Sequence, residues 1–112
     1  KIMLKTLKKL LKSTINEGFT ALRGAGEMEW TLKYLKSSKK LMVYESNLNN
    51  LTDCYPFIAC CQYDTREFNA PTILDVLKTH QFVYSKNQVI FNPLYIQPKD
   101  FLEKCTPHSL AD

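Results

Sequence analysis

Residues 23–30 read Arg-Gly-Ala-Gly-Glu-Met-Glu-Trp, and they join a short apolar run, residues 19–22, to a helix-like pattern. A strand, a tight glycine turn and a helix in this order place polar groups at a sheet edge in α/β proteins. The two glycines permit a sharp turn and a close approach of a ligand to the main chain. Because Arg23 and Glu27 add opposite charges and Trp30 adds a large apolar wall, the stretch predicts a ligand pocket.

The length and composition indicate one globular domain with a mildly basic surface. The chain has 112 residues, of which 45% are hydrophobic and 23% are charged, and its net charge is +4. Such a chain can build one core. Lysine supplies most of the positive charge, since arginine occurs only at positions 23 and 66. Dedicated nucleic-acid binders carry a denser basic stripe that contains arginine, so we expect no direct nucleic-acid binding.

Further features predict a cytoplasmic protein with no membrane insertion. No run reaches the roughly 18 apolar residues of a membrane helix, and lysines interrupt the first segment, unlike a signal peptide. The four cysteines lack the spacing of a disulfide framework and fit a reducing compartment. The chain starts with Lys1 inside a helical pattern, so we expect an N-terminally truncated fragment of a longer polypeptide.

Residues 3–17 are predicted to form an amphipathic helix that ends at Gly18. Lysines cover most of its polar surface. Its apolar stripe comprises Met3, Leu7, Leu10, Leu11 and Ile15. We favour an outer helix with a solvated lysine face. A helix that binds a membrane or a partner is the alternative.

The next part of the chain predicts a strand over residues 19–22, a helix over residues 27–35 and a longer helix over residues 39–51. Ser38 is suited to cap the longer helix. Glu45 lies on or beside the apolar stripe of that helix, where an unpaired carboxylate is costly. We therefore expect Glu45 to have a partner.

A second strand and helix follow. Residues 55–63 form a mainly apolar run, which predicts a central, parallel strand buried on both faces. Asp64 lies at its carboxyl end, where ligands bind in open α/β sheets. Asn69 can cap a helix over residues 70–79. His80 comes at the end of that helix, where a charged imidazole is favoured.

Residues 82–84 and 88–91 predict an antiparallel hairpin. The complete pattern indicates an α/β fold with three layers, α/β/α, around a mostly parallel central sheet. The hairpin is expected at the C-terminal edge of this sheet, and the expected truncation lies at the N-terminus.

Sites for metals, nucleotides and nucleophilic catalysis are not predicted. No P-loop is present, and Gly24-x-Gly26 is too short for a dinucleotide fingerprint. No CxxC pair occurs, and Cys60 and Cys61 would point to opposite faces of a strand. His80 can meet either cysteine in space, but no local signature supports a catalytic pair. We expect no metal, no cofactor and no enzymatic activity in this domain.

The charged residues Arg23, Glu27, Glu45 and Asp64 form the most informative set. Arg23 and Asp64 both fall at predicted strand ends, so they converge if their strands are parallel neighbours. Two interpretations stay open. One is an internal salt-bridge network that stabilises the glycine turn, and the other is a set of contacts to a ligand.

Several short motifs also occur in a fixed order along roughly residues 5–98. They are Glu17-Gly18-Phe19, Leu22-Arg23, Gly26-Glu27-Met28-x-Trp30, Tyr44-Glu45-x-x-Leu48-Asn49, Cys61-x-Tyr63-Asp64, Leu77-x-Thr79-His80 and Asn92-Pro93-x-Tyr95. This ordered set resembles the MEDS family, the methanogen/methylotroph sensory domain. No single motif is diagnostic, but the order of the set is fairly specific.

The resemblance implies a RecA/KaiC-like α/β fold without the nucleotide-hydrolysing loop. It implies a sensory domain over residues 1–98, which lacks the family's first strand and glycine-rich turn, and a polar tail or linker over residues 99–112. Domains of this family occur in sensor histidine kinases and transcription regulators, and they are proposed to sense small hydrocarbon derivatives.

We therefore predict a sensory domain that binds a small apolar or one-carbon-derived molecule and relays a conformational or dimerisation change. The change would pass to an attached kinase or DNA-binding module, and an uncovered sheet edge would favour a homodimer. A nucleotide-binding or enzymatic remnant of the RecA-like class and a basic interaction module are the alternatives. The predicted ligand-binding residues are Arg23, Gly26, Glu27, Trp30, Glu45, Tyr63, Asp64 and His80.

Overall fold

The computed structural model describes residues 2–96, and within them helices alternate with short strands. In chain order the elements are α1 (Ile2–Asn16), β1 (Leu22–Glu27), α2 (Trp30–Tyr34), α3 (Ser38–Cys54), β2 (Phe57–Gln62), α4 (Ala70–Leu77), β3 (Phe82–Ser85) and β4 (Gln88–Phe91). The C-terminal tail predicted over residues 99–112 lies outside the described residues.

Two sheets of two strands each form in this part of the chain. β1 and β2 are parallel, in a register that runs from Leu22 opposite Phe57 to Glu27 opposite Gln62. β3 and β4 form an antiparallel hairpin. Its turn residues Lys86 and Asn87 have φ angles of 50° and 62°, as two-residue hairpin turns require. The predicted α/β class, with parallel strands and an antiparallel C-terminal hairpin, is confirmed. Within residues 2–96, however, the hairpin forms a sheet of its own and is not an edge of the parallel sheet.

The glycine-rich stretch is a strand and not the predicted turn. β1 begins at Leu22, the last residue of the strand predicted over residues 19–22, and α2 begins at Trp30 instead of residue 27. All residues of β1 pair with β2, which holds the stretch extended. The two strands also approach closely: a Cβ atom added at Gly24 would lie 3.3 Å from Cε1 of Phe57. Gly24 therefore gives the Phe57 ring room to cross the neighbouring strand.

The helix ends follow local rules. Gly18 has a φ of 96° and ends α1, as predicted. Asn69 caps α4, because its side chain accepts a hydrogen bond of 2.9 Å from the Thr72 backbone N–H. The cap of α3 is Ser37 and not Ser38, since the Ser37 hydroxyl accepts from the Lys40 backbone N–H.

A first core cluster joins α1 and α3 to one face of the parallel sheet. Its buried members are Leu11, Leu48, Tyr55 and Phe57. On α1 the packed residues are Leu4, Leu7 and Leu11. Leu10 is 50% exposed, and Met3 and Ile15 are also exposed, so the buried stripe is rotated from the predicted one. The prediction of an outer helix packed on the core is confirmed.

β2 is buried on one face only among the described residues. Phe57 is buried, whereas its neighbour Ile58 is 64% exposed. Successive side chains of a strand point to opposite faces, so Phe57, Ala59 and Cys61 face the first core cluster. The prediction that both faces of this strand are buried is wrong for this part of the chain.

A second core cluster lies where β1 and β2 end. Its buried members are Met28, Leu41, Phe68 and Val76, and the partly buried residues packed on it are Trp30, Leu35, Tyr44, Cys61, Tyr63 and Ile73. Cys61 packs against both clusters. Within residues 2–96, no helix has the length and apolar character that crossing a membrane requires.

Candidate functional site

Glu45 is the centre of a buried polar group that joins three elements. Its side chain is 0% exposed. Tyr63 donates its hydroxyl hydrogen bond to Oε1 at 2.7 Å, and the Cys61 thiol lies 3.4 Å from Oε2. Nε2 of His80 lies 2.9 Å from the same Oε2. We call Glu45, Cys61, Tyr63 and His80 the Glu45 cluster.

Local structure explains why these side chains meet. On α3, Glu45 lies four residues after Leu41 and three before Leu48, and both leucines are buried, so Glu45 is on the inner face of the helix. Cys61 is on β2, and Tyr63 comes two residues later, so the two point to the same side. The end of α4 brings His80 to this side of the sheet.

The main chain holds the His80 ring with one nitrogen towards Glu45. Nδ1 lies 2.9 Å from the Val76 carbonyl oxygen and 3.0 Å from the Thr79 hydroxyl. The Thr79 hydroxyl donates to the same carbonyl at 2.7 Å. Because a carbonyl only accepts hydrogen bonds, Nδ1 carries a proton in this geometry. Nε2 is thereby aimed at the carboxylate of Glu45.

Charge and burial compete at His80. Burial alone disfavours the imidazolium, but the hydrogen bond from His80 to Glu45 and the negative charge of that carboxylate outweigh it. The Val76 carbonyl acts in the same direction, so the pKa of His80 is raised above its ordinary value of 6.5. The imidazolium is the form that this site favours.

The same environment holds the neighbouring acids in their neutral forms. Burial, followed by the negative charge of Glu45, raises the pKa of Cys61 and that of Tyr63 well above their ordinary ranges. The same two causes raise the pKa of Tyr44 to about 12. At neutral pH, Cys61 and Tyr63 are therefore hydrogen-bond donors to a single buried acceptor.

A second charged group lies at the exposed carboxyl edge of the parallel sheet. Arg66 holds Asp64 through Nε at 3.0 Å from Oδ1 and Nη2 at 2.8 Å from Oδ2, so the contact is bidentate. These hydrogen bonds lower the pKa of Asp64 to about 2. Glu27 accepts from the backbone N–H of Glu29 with both carboxylate oxygens at 3.0 Å. Both carboxylates are therefore bound to their own loops.

The predicted convergence of Arg23 and Asp64 is wrong. The strands are parallel neighbours, but Arg23 is the second residue of β1 and pairs with Ile58. Asp64 lies six positions further along β2's direction, about 20 Å away at the rise of a strand. The error follows from the misplaced strand, since Arg23 lies at the amino end of β1 instead of its carboxyl end.

The structure brings together three of the eight predicted ligand-binding residues, namely Glu45, Tyr63 and His80. The other five residues are not part of the Glu45 cluster. Trp30 stacks edge-on against Tyr44, with 5.2 Å between ring centroids. Gly26 pairs with Cys61, Glu27 and Asp64 lie at the carboxyl edge of the sheet, and Arg23 lies at the opposite end. Their ligand-binding roles stay predictions.

Cys61 is the member of the Glu45 cluster that is absent from the predicted set. From the sequence, Cys61 is considered as a metal ligand beside Cys60 and as a catalytic partner of His80, but not as a partner of Glu45. Cys60 is exposed on the other face of the strand. Two features of the sequence could have indicated Cys61. It lies two residues before Tyr63 in a predicted strand, so both point to the same face, and Glu45 is predicted to need a partner. Among the described residues, Glu45, Cys61 and His80 form a group whose potential ligand atoms all lie within 4.8 Å of one another.

Comparisons with known proteins agree on one family. Residues 1–81 match the profile of MEDS, described as MEthanogen/methylotroph, DcmR Sensory domain. The chain is similar to the transcriptional repressor DcmR of Methylorubrum extorquens (strain DSM 6343 / CIP 106787 / DM4), with 39% identity over 83 residues. The alignment covers 73% of this chain but only 31% of the repressor. No solved structure matches the chain.

Proposed function

The chain belongs to the MEDS family of sensory domains, and from this premise we propose that it binds a small, mostly apolar molecule. Its family and its similarity to a transcriptional repressor support a sensory role in transcription regulation and signalling. The proposal adds the ligand class, a small hydrocarbon or one-carbon derivative. It also adds the output, a conformational or dimerisation change passed to an attached DNA-binding or kinase module.

The Glu45 cluster is the observation that carries the proposal. Small-molecule sites are mostly apolar, with a few polar groups that fix the orientation of the ligand. The second core cluster combines aromatic side chains, including Trp30 and Tyr63, with the polar cluster around Glu45. Glu45 is buried and the other three members are partly buried. The His80 side chain is 21% exposed, so solvent reaches the edge of the cluster. The ligand would contact Trp30 and Tyr63 and exchange hydrogen bonds with His80 or Cys61.

The relay can use the elements that the cluster connects. Glu45, Tyr63 and His80 come from α3, the end of β2 and the end of α4. A ligand that breaks one of their hydrogen bonds changes how these three elements pack. Binding shifts a conformational equilibrium only when the ligand prefers one packing over the other. In the described residues, the parallel sheet has two strands and so two open edges, which supports dimerisation as one form of output.

The remaining parts of the prediction belong to this proposal as well. The likeness to RecA/KaiC-like folds stays a prediction, as do the ligand-binding roles of Arg23, Gly26, Glu27 and Asp64. No observation favours the nucleotide-binding or basic-module alternatives over ligand sensing.

Native mass spectrometry of the purified chain, compared with the denatured mass, tests for a bound small molecule. The sole tryptophan, Trp30, then reports on added one-carbon and short-chain alcohols, amines, thiols and halides through its fluorescence. We expect one of these classes to change the emission in a saturable way. No saturable change with any of them, together with a clean apo mass, would argue against the proposal.

Trp30→Ala is expected to weaken binding of the responding compound about tenfold while the domain stays folded, because the variant removes one apolar wall. Native mass spectrometry or calorimetry measures the binding, since this variant loses the fluorophore. Tyr34→Ala is the matched control: it removes an aromatic ring from the same short helix, and Tyr34 is 68% exposed. Equal weakening by both variants, or unfolding of Trp30→Ala and Trp30→Phe alike, would contradict a ligand-facing Trp30.

A further inference from the structure

We propose that Glu45, Cys61 and His80 form a binding site for one Zn²⁺ ion. Their potential ligand atoms, a carboxylate oxygen, a thiol sulfur and an imidazole nitrogen, all lie within 4.8 Å of one another. Thiolate, imidazole and carboxylate are the donors that zinc takes in proteins. This inference goes beyond the proposed sensory function and does not depend on it, because metal binding can be measured with no organic ligand present.

The distances between the potential ligand atoms are close to those around a tetrahedral ion. Oε2 of Glu45 lies 2.9 Å from Nε2 of His80 and 3.4 Å from Sγ of Cys61. Zinc lies about 2.0–2.3 Å from oxygen, nitrogen and sulfur ligands, so neighbouring ligands of a tetrahedral ion are separated by about 3.3–3.7 Å. The oxygen–nitrogen separation would have to widen by a few tenths of an ångström, and the remaining one, between Sγ and Nε2, is at most 4.8 Å.

Groups behind two of the three side chains orient them as they do in known metal sites. A histidine that binds a metal usually donates its other ring N–H to a carbonyl or carboxylate. Nδ1 of His80 makes this contact with the Val76 carbonyl at 2.9 Å. Tyr63 donates to Oε1 of Glu45 at 2.7 Å and leaves Oε2 directed at Cys61 and His80. Two of the three side chains are thus held in place before an ion arrives.

Three protein ligands leave the fourth position of a tetrahedron for water or another small donor. Gly26 pairs with Cys61 on the neighbouring strand. A Cβ atom added at Gly26 would meet no heavy atom within 4 Å, so there is room beside Cys61 on this side of the sheet. Binding also requires Cys61 to release its thiol proton and His80 to release its Nε2 proton to solvent.

The first test uses the complete 112-residue chain, freed of metal with a chelator and kept reduced. We expect one Zn²⁺ per chain in a competition titration against a chromophoric chelator. Co²⁺ in place of Zn²⁺ should give a thiolate-to-cobalt charge-transfer band and the intense d–d bands of a tetrahedral ion. This spectrum needs no variant, so it decides the question even if every substitution at the site prevents folding.

Variants then assign the ligands. Cys61→Ser and His80→Gln should each weaken Zn²⁺ binding by more than about 100-fold, since changes behind the ligands already cost about 10–100-fold. Tyr63→Phe should weaken it about tenfold, because the phenol only orients the carboxylate of Glu45. Cys60→Ser is the matched control: Cys60 is the adjacent residue and an exposed free thiol on the opposite face. It should leave the affinity unchanged.

The proposal fails if Co²⁺ gives no thiolate charge-transfer band, or if Zn²⁺ does not bind at one equivalent. It also fails if Cys60→Ser and Cys61→Ser weaken binding equally. Alkylation of the wild-type chain gives an independent check by mass spectrometry. Zn²⁺ should protect Cys61 and leave Cys60 reactive. A Cys61 that is labelled in the metal-free chain and is labelled equally with the ion present would overturn the assignment.

Discussion

The Glu45 cluster and the Asp64–Arg66 pair use a carboxylate in opposite ways. Asp64 binds an arginine two residues away in an exposed loop, so the sequence alone brings the two together. Glu45 is 0% exposed, and its partners lie 16, 18 and 35 positions further along the chain. The fold alone brings them together. The difference teaches that the buried contacts, which join residues far apart in the sequence, connect the elements of this domain, whereas the exposed pair stays within one loop.

Burial also decides how much each group contributes to stability. An exposed ion pair is screened by water and contributes little, even when its geometry is bidentate. A buried carboxylate must have its hydrogen-bond donors, because a lone charge in the core is very costly. In the described residues no buried side-chain nitrogen or oxygen lacks a hydrogen-bond partner. Removing Glu45, the acceptor shared by Cys61, Tyr63 and His80, should therefore leave all three side chains without this hydrogen bond.

The largest effect is expected from Glu45→Ala. The variant leaves the Tyr63 hydroxyl and the His80 imidazolium without their acceptor and opens a cavity beside them. The free energy of unfolding should fall by about 3–5 kcal/mol, the usual result of removing one partner from a buried pair. Urea denaturation with chelator present measures it. Glu67→Ala, at an exposed position, is the control and should change stability little. If Glu45→Ala lowers the free energy of unfolding by less than about 1 kcal/mol, the buried cluster does not contribute more than the exposed pair.

Much of the fold could be predicted from local sequence. The Asn69 cap, the Gly18 end of α1 and the C-terminal hairpin each depend on a few adjacent residues, and the structure has all three. The conformation of the glycine-rich stretch could not be predicted from adjacent residues. Its extended form depends on pairing with β2, a strand that begins 33 positions after Gly24 at Phe57, whose ring lies next to that glycine. Glycine tolerates both a turn and a close approach, so its local signal was ambiguous.

The candidate site was also predictable only in part, because its residues lie far apart in the sequence. An apolar stripe around Glu45 showed that this carboxylate needed a partner, but no local pattern could name Tyr63 or His80 as that partner. The sequence predicts no metal site at Cys61, because no CxxC pair occurs and Cys60 points to the other face of the strand. In the zinc site that we propose, the carboxylate of Glu45 takes the place of a second cysteine ligand. Predicting the complete cluster requires knowing that α3 packs against β2 and the end of α4.

A smaller effect, on the pH dependence of stability, follows from His80. Its pKa is raised above 6.5 in the folded chain, so the imidazolium–carboxylate contact contributes fully below pH 6.5. That contribution is lost as the pH rises through the raised pKa of the folded state. Metal-free wild-type protein should therefore lose stability over this range.

His80→Gln should remove this loss, because glutamine does not titrate. Urea denaturation across the range, with chelator present, measures the stability of both proteins. An NMR titration of the His80 ring gives its pKa directly. If wild type and His80→Gln show the same pH dependence between pH 6.5 and mildly alkaline pH, the contact with Glu45 does not stabilise the imidazolium. The comparison between the two carboxylates would then lose its electrostatic basis.

The smallest effect is expected from Asp64→Asn, and its pH dependence has the opposite sign. The hydrogen bonds from Arg66 lower the pKa of Asp64 from 3.8 to about 2, so the pair contributes above pH 3.8. That contribution is lost as the pH falls through about 2. The stability difference between Asp64→Asn and wild type at neutral pH should be well below that of Glu45→Ala, and salt should reduce it. An effect of Asp64→Asn as large as that of Glu45→Ala would mean that the exposed edge, and not the buried cluster, connects the elements.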